Sequence, residues 1–246
     1  MATLVIIPGS FASAASYKSF TDALNRNGVD SEVIDTPSVG RRKGGPKTMS
    51  DDAAEITRVA STLLNRGKEV VLMTHSYGGI PGTQSLEKLS KKAREAQGKA
   101  GGVEKIIYLT SVVLPVGTSN LETFGSNAPD SLTIRDDYMS LNLEDNAPLT
   151  FSDLPAEESL AWAKEMPDHS TASFKEQLTY PGYNDVEVHY IVCEEDKIIP
   201  PEHQYGMIEF LRSSTGNEVK VHKLNSGHAP NASKPDNLAQ IIKGII

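Results

Sequence analysis

The sequence predicts an α/β fold: a mostly parallel central sheet flanked by helices and interrupted once by a small helical insertion. Three observations predict it. Short, almost wholly apolar runs such as Thr3–Ile7 and Lys105–Thr110 have the composition of strands buried on both faces. Stretches of helical period lie between such runs, the alternation that builds parallel strands joined by crossover helices. One long block, residues 114–182, breaks the alternation.

Taken in order, Thr3–Ile7 is the expected first strand, followed by a Gly/Ser/Ala loop and a helix over 17–27 closed by Gly28. Ser31–Asp35 is the second strand, and 36–47, with Pro, Gly and four cations, reads as a solvated loop. Ser50 is the expected cap of a helix reaching Asn65, with Asp51 and Asp52 suiting its positive end. Glu69–Thr74 is the third strand, and a helix begins just after Ser76. Residues 88–102 read as a helix end and a flexible surface excursion. Lys105–Thr110, Val186–Cys193 and Val219–Leu224 complete the sheet, and the last helix covers 234–245.

Between 114 and 182 no run has the buried-strand pattern, and the block carries Pro115, Pro129, Pro148, Pro155, Pro167 and Pro181. Its apolar residues, among them Met139, Leu160, Trp162, Met166 and Phe174, are spaced for short helices. A structureless loop of this length is uncommon inside a compact domain. The expectation is one domain over 1–246, with a core of 1–113 and 183–246 and an inserted helical cap of 114–182.

Composition narrows the function classes. A net charge of −8 lacks the basic stripe that nucleic acid requires, and it opposes docking to an anionic membrane. The single cysteine, Cys193, excludes an intrachain disulfide and fits a reducing compartment. No run reaches the roughly 18 to 20 apolar residues of a membrane span. Met1–Ile7 is too short and too poor in cations for a signal peptide, so a cytoplasmic protein is expected. No His, Cys, Asp or Glu grouping has metal-ligand spacing. Pro8-Gly9-Ser10-Phe11-Ala12-Ser13 offers one glycine where a dinucleotide fingerprint needs three. No cofactor and no metal are expected.

The chemistry concentrates at Thr74-His75-Ser76-Tyr77-Gly78-Gly79, where an apolar strand delivers a serine into a glycine-flanked turn ahead of a helix. That is the pattern of a nucleophile elbow, with Thr74 in place of the usual first glycine. An acid and a histidine follow in the order that this arrangement needs. Cys193-Glu194-Glu195-Asp196-Lys197 comes after the fifth strand and Ser226-Gly227-His228 after the sixth. Ser76 is then the nucleophile, His228 the general base and acid, and Asp196 the group that orients the imidazole. Glu194 and Glu195 are rival acids that read better as solvated charges. Tyr77, directly after the nucleophile, offers one oxyanion amide; the first loop offers another at Ser10, with Phe11 next. Gly9, Phe11, Trp162, Met139 and Leu114 are the candidate substrate-binding residues. His75 reads as a packing residue, His189 and His222 as strand residues, and only His169 among the rest as a residue with a chance of touching substrate.

With these motifs in register, the chain resembles the α/β-hydrolase superfamily, in particular the plant methylesterase and hydroxynitrile lyase branch and its bacterial and fungal esterase relatives. The resemblance covers nearly the whole chain, and its motifs are specific to the superfamily, not to a substrate. It implies acyl transfer by a serine hydrolase on a small carboxylic ester or lactone. Hydroxynitrile lyases carry a lysine after the catalytic histidine and a threonine at the position of Gly9. Ala229 and Gly9 here favour hydrolysis over cyanohydrin cleavage. Pro8 replaces a histidine common in the branch. A C–C lyase on the same triad and a ligand receptor are the alternative readings. The expected partner is the small-molecule substrate, with no nucleic acid and no membrane; a homodimer is left open.

Overall fold

The computed structural model describes residues 2–125 and 132–246; Pro129 of the proline-rich block lies outside them. The strands and helices run in the order β1 (Thr3–Ile7), α1 (Lys18–Arg26), β2 (Asp30–Val33), α2 (Met49–Asn65), β3 (Val70–His75), α3 (Gly79–Leu89), α4 (Lys91–Glu95) and β4 (Lys105–Leu109). The segment that follows holds α5 (Asn120–Phe124), β5 (Leu132–Arg135), β6 (Tyr138–Leu141), α6 (Leu143–Thr150), α7 (Ala156–Lys164), β7 (His169–Ser170) and α8 (Thr171–Lys175). The chain closes with β8 (Glu187–Cys193), α9 (Pro201–Thr215), β9 (Val219–Leu224), α10 (Pro230–Ser233) and α11 (Pro235–Ile245).

Six strands form one sheet in the order β2-β1-β3-β4-β8-β9, every neighbouring pair parallel. The apolar runs follow from burial on both faces. Along β1, Val5 and Ile7 join one hydrophobic cluster with α2, α3 and α9, while Leu4 and Ile6 join a second with α1 and α11. Alternation with period two sends neighbouring side chains to opposite faces, so a strand covered on both sides is apolar throughout. The parallel arrangement also brings the C-terminal ends of β1, β3, β4, β8 and β9 to one edge, where open α/β sheets place their ligands.

Three expectations are corrected. Thr48, not Ser50, caps α2: its side chain accepts from the Asp51 N–H while the Asp51 carboxylate accepts from the Thr48 N–H. Ser50 instead donates to Glu176 through both its N–H and its hydroxyl. The 88–102 excursion contains α4, capped by Ser90 and held by Arg94, whose buried guanidinium donates to Asn65 and to the carbonyls of Ala100 and Gly101. The segment after β4 is not wholly helical. It carries a three-stranded antiparallel sheet, β5-β6-β7, beside its helices. These strands leave no apolar run because each is four residues or fewer, β5 is largely exposed, with Ile134 at 62%, and buried β7 is the polar pair His169-Ser170.

Candidate active site

Ser76 leaves the end of β3 into a 3-10 turn, Ser76–Gly78, with φ of +52°, a conformation that costs a non-glycine residue on the order of 1–3 kcal/mol. The neighbouring loop holds it there. The Ser76 carbonyl accepts from the Val112 N–H and from the Ser111 hydroxyl, both at 2.9 Å. The glycines that follow are dictated by close approach. A Cβ on Gly78 would lie 2.6 Å from the carbonyl oxygens of Ile7 and Pro8, and one on Gly79 would lie 2.1 Å from that of Val112. Thr74 fits the position usually held by glycine because a second small residue faces it. Its methyl occupies the place where a Cβ of Gly82 would stand, 2.4 Å away.

Asp196 and His228 arrive from β8 and β9. His228 Nε2 lies 3.0 Å from Ser76 Oγ, and His228 Nδ1 lies 2.7 Å from Asp196 Oδ2. A carboxylate accepts only, so Nδ1 carries the proton and Nε2 is the acceptor facing the serine hydroxyl. Asp196 is 4% exposed and accepts from the Thr110 hydroxyl and from the N–H groups of Ile198 and Ile199. Burial pushes its carboxyl up, but the facing imidazole and these hydrogen bonds outweigh burial and hold it below the usual carboxylate range. Glu194 and Glu195 are exposed, and Glu194 pairs with Lys223. Gly227 serves contact, not turn geometry: a Cβ there would lie 2.5 Å from Ser152 Oγ and 2.8 Å from Asp153 Oδ1.

The first loop packs directly on the serine; a Cβ on Gly9 would lie 3.0 Å from the Ser76 Cβ. Two of its three consecutive amides have partners. The Gly9 N–H donates to the Tyr17 hydroxyl at 3.1 Å, and the Phe11 N–H faces His169 Nδ1 at 3.4 Å. Phe11 therefore loses its place as an oxyanion donor, because its N–H is turned away toward His169; Ser10 lies between the two. The Tyr17 hydroxyl also meets His75 Nδ1 at 2.6 Å, and His75 Nε2 meets the His228 carbonyl at 2.7 Å. That carbonyl accepts only, so Nε2 donates and Nδ1 accepts from tyrosine. Burial, then the adjacent His228, holds His75 neutral with a pKa near about 3. Far from simple packing, His75 ties the first loop to the backbone of His228.

A second buried network lies behind Tyr77. Asp52, fully buried on α2, accepts from the Tyr77 hydroxyl at 2.7 Å and from the Ser38 N–H and hydroxyl at 2.8 and 2.6 Å. Burial raises its pKa to about 6, although these three donors oppose the shift. Asp52 thus turns inward instead of serving the solvated helix end. His169 packs against the rings of Phe11 and Tyr77, is fully buried, and meets the Ser173 hydroxyl at 2.9 Å.

A pocket of about 40 Å³ opens over Ser76 and His228. Its walls include Gly9, Ser10, Phe11 and Trp162, together with Ser16, Tyr17, Thr150, Phe151, Met166 and Asn231. Met139 and Leu114 are not among its lining residues. Met139 is buried in β6 between β5 and β7, and Leu114 belongs to the core cluster that also holds Val113 and Met207. His169 does not line the pocket either. A larger groove of about 600 Å³ lies among Lys91, Lys92, Glu104, Glu187 and Lys220, without a serine facing a histidine. Among the described residues, no group of three or more His, Cys, Asp or Glu side chains could hold a metal ion, and no helix is long and apolar enough to cross a membrane.

A parallel six-stranded sheet carrying serine, acid and histidine beyond the C-terminal ends of β3, β8 and β9 defines the α/β-hydrolase class. The chain belongs to the alpha/beta hydrolase family, whose model matches residues 4–241. It is 35% identical to a probable hydrolase of Phoma sp. over 97% of this chain and 96% of that protein. It is 28% identical to Methylesterase 1 of Arabidopsis thaliana over 75% and 71% of the two chains. A pyrethroid hydrolase from Sphingobium faniae superposes with a TM-score of 0.74 at 20% identity, covering 99% of this chain and 96% of that one. Its relatives therefore include hydrolases and plant methylesterases, in keeping with the branch that the motifs resemble.

Proposed function

We propose that the chain is a serine hydrolase that cleaves a small carboxylic ester or lactone through an acyl-enzyme on Ser76. The observation that carries this reading is the unbroken hydrogen-bond path from Ser76 Oγ through both nitrogens of His228 to Asp196. Ser76 Oγ attacks the carbonyl carbon while its proton passes to His228 Nε2, and the carbonyl electron pair moves onto oxygen. The Ser10 and Tyr77 amides receive that oxyanion; Ser10 is the one N–H of its loop segment not directed at Tyr17 or His169. The tetrahedral centre then collapses, the C–O bond to the alcohol breaks, and the alkoxide takes the proton from His228. Water next attacks the acyl carbon, gives its proton to His228 Nε2, and the C–Oγ bond breaks as Ser76 recovers a proton. Asp196 keeps its charge throughout and stabilises the imidazolium.

The segment carrying Phe151, Trp162 and Met166 acts as a cap that roofs the pocket and excludes water. Ala229, where a hydroxynitrile lyase has lysine, leaves no cation there to stabilise a cyanide leaving group, which favours hydrolysis. Burst kinetics with a chromogenic short-chain ester test the reading. An acyl burst that disappears in Ser76→Ala supports it; carbonyl release without acylation, or tight binding without turnover, would overturn it.

A further inference from the structure

His169 stands in β7, within the segment between β4 and β8, yet its ring reaches the first loop of the core. Its Nδ1 lies 3.4 Å from the Phe11 nitrogen, and its ring packs against those of Phe11 and Tyr77 at centroid distances of 5.4 and 5.0 Å. One fully buried imidazole thus touches Tyr77 and the residue after Ser10.

The remaining contacts of the ring set its tautomer. Nε2 lies 2.9 Å from the Ser173 hydroxyl and 3.5 Å from that of Ser38. Each hydroxyl has one proton, and both are spent elsewhere: Ser173 donates to the Ser170 carbonyl at 2.8 Å and Ser38 to Asp52 at 2.6 Å. Nε2 therefore donates, which leaves Nδ1 bare to accept from the Phe11 N–H. Burial keeps the ring neutral, its pKa pushed down to about 3. The backbone of His169 is itself held on two sides, paired with Met139 of β6 and bridged to Val39.

Phe11 needs such a partner, because its φ of +56° is one that a residue with a Cβ seldom adopts. Its N–H belongs to the peptide that follows Ser10, and the Gly9 N–H, in the peptide that precedes Gly9, is tied to Tyr17. The single peptide between these two carries the Ser10 N–H, so anchoring both neighbours sets where that N–H points. Resting on the reading of Ser76 as the nucleophile of an ester hydrolase, we infer that His169 is a positioning residue for the oxyanion site: it holds the Phe11 peptide from one side and the Tyr77 ring from the other, and so aims the Ser10 and Tyr77 amides.

Turnover of nitrophenyl acetate is compared in the parent, His169→Leu and His169→Asn, beside inhibition by trifluorobutanone. Ser76 Oγ adds to the carbonyl carbon of that ketone, its proton passes to His228, and the ketone oxygen becomes an oxyanion. A misaimed donor should lower kcat in His169→Leu by about 10- to 100-fold, with KM changed by less than about threefold. Trifluorobutanone should weaken by a similar factor. His169→Asn, whose Oδ1 can stand where Nδ1 stood, should recover most of both losses. A loss confined to KM, or an equal loss in the two variants, overturns the inference. If His169→Leu does not fold, His169→Gln takes its place, since its amide sits at the Nε2 end and leaves no acceptor at the Nδ1 position. Long-range proton–nitrogen spectra of the parent, labelled at histidine, need no variant: a bare Nδ1 at His169 supports the inference and a proton there overturns it. A parent chain with neither turnover nor a ketone adduct would sink the hydrolase reading and the oxyanion role together, whereas an active parent matched by a folded His169→Leu would overturn the role of His169 alone.

Discussion

The imidazole of His75 donates from Nε2 to the main-chain carbonyl of His228 at 2.7 Å, while its Nδ1 accepts from Tyr17 at 2.6 Å. The residue beside Ser76 thus fixes where His228 begins. Through Tyr17 and the Gly9 N–H it also fixes where the first loop lies. His75→Ala should lower kcat by about 10- to 100-fold with a smaller change in KM, as expected when catalytic groups drift by a fraction of an ångström. Tyr17→Phe, which breaks only the loop side, should cost less. Full kcat in a folded His75→Ala chain would show that the link positions nothing.

Ser76, the proposed nucleophile, gives the plainest outcome. Ser76→Ala should remove nearly all turnover without loss of fold, leaving at most the residual rate enhancement of about 10³ to 10⁴ over water that triad variants retain. A phosphonate ester should label Ser76 alone, read by peptide mass. Label on a different serine would remove the assignment.

Asp196→Asn should cut turnover by roughly 10⁴, the scale of a lost orienting carboxylate. Thr110→Val removes one donor to that carboxylate and should cost far less. Glu194→Gln and Glu195→Gln should be near neutral, since both side chains are exposed. Steady-state rates for the set decide it, and a damaging Glu195→Gln beside a mild Asp196→Asn would move the acid by one residue.

Much of this was legible in the sequence, and the reason is physical. Strands β1, β3, β4 and β8 are buried on both faces and so declare themselves as apolar runs, and the triad residues follow strand ends in a fixed chain order. The Tyr17–His75–His228 link joins residues 58 and 153 positions apart, and no local pattern marks it. Asp52 looked like a helix-end charge because its partners, Ser38 and Tyr77, are brought to it only by the fold. The small β5-β6-β7 sheet was hidden for the opposite reason: it buries too little apolar surface to leave a run.

Asp52 predicts a pH dependence of stability. Its folded pKa, about 6, lies above the unfolded value of 3.8, because burial disfavours the charged form. The folded state therefore binds the proton more tightly, and this contribution is fully present below pH about 4 and is lost as pH rises through about 6. Asp52→Asn removes the titration. Between pH 4 and 7 the parent chain should lose on the order of 2–3 kcal/mol more stability than the variant, from about 1.4 kcal/mol per pKa unit. Denaturant melts at several pH values measure it, and parallel profiles for the two chains would refute it.

The pocket walls predict which changes alter specificity and which alter only stability. Trp162 stacks on Phe151 with ring centres 6.1 Å apart, and both side chains line the pocket over Ser76. Met139 lies buried between strands and lines none of it. Trp162→Ala and Phe151→Ala should reorder an ester series by kcat/KM, with changes of about 1–3 kcal/mol for each apolar contact altered. Small acetates should suffer less than bulky esters, which depend more on the wall. Met139→Ala should leave the order intact and instead lower the melting temperature, because truncating a buried methionine costs about 2–5 kcal/mol. The measurement is kcat/KM across the series beside a thermal melt for each variant. An unchanged order in the two aromatic variants, both folded, would mean that the segment above Ser76 does not select the substrate, and that selection falls to Ser10, Phe11 and the rest of the first loop.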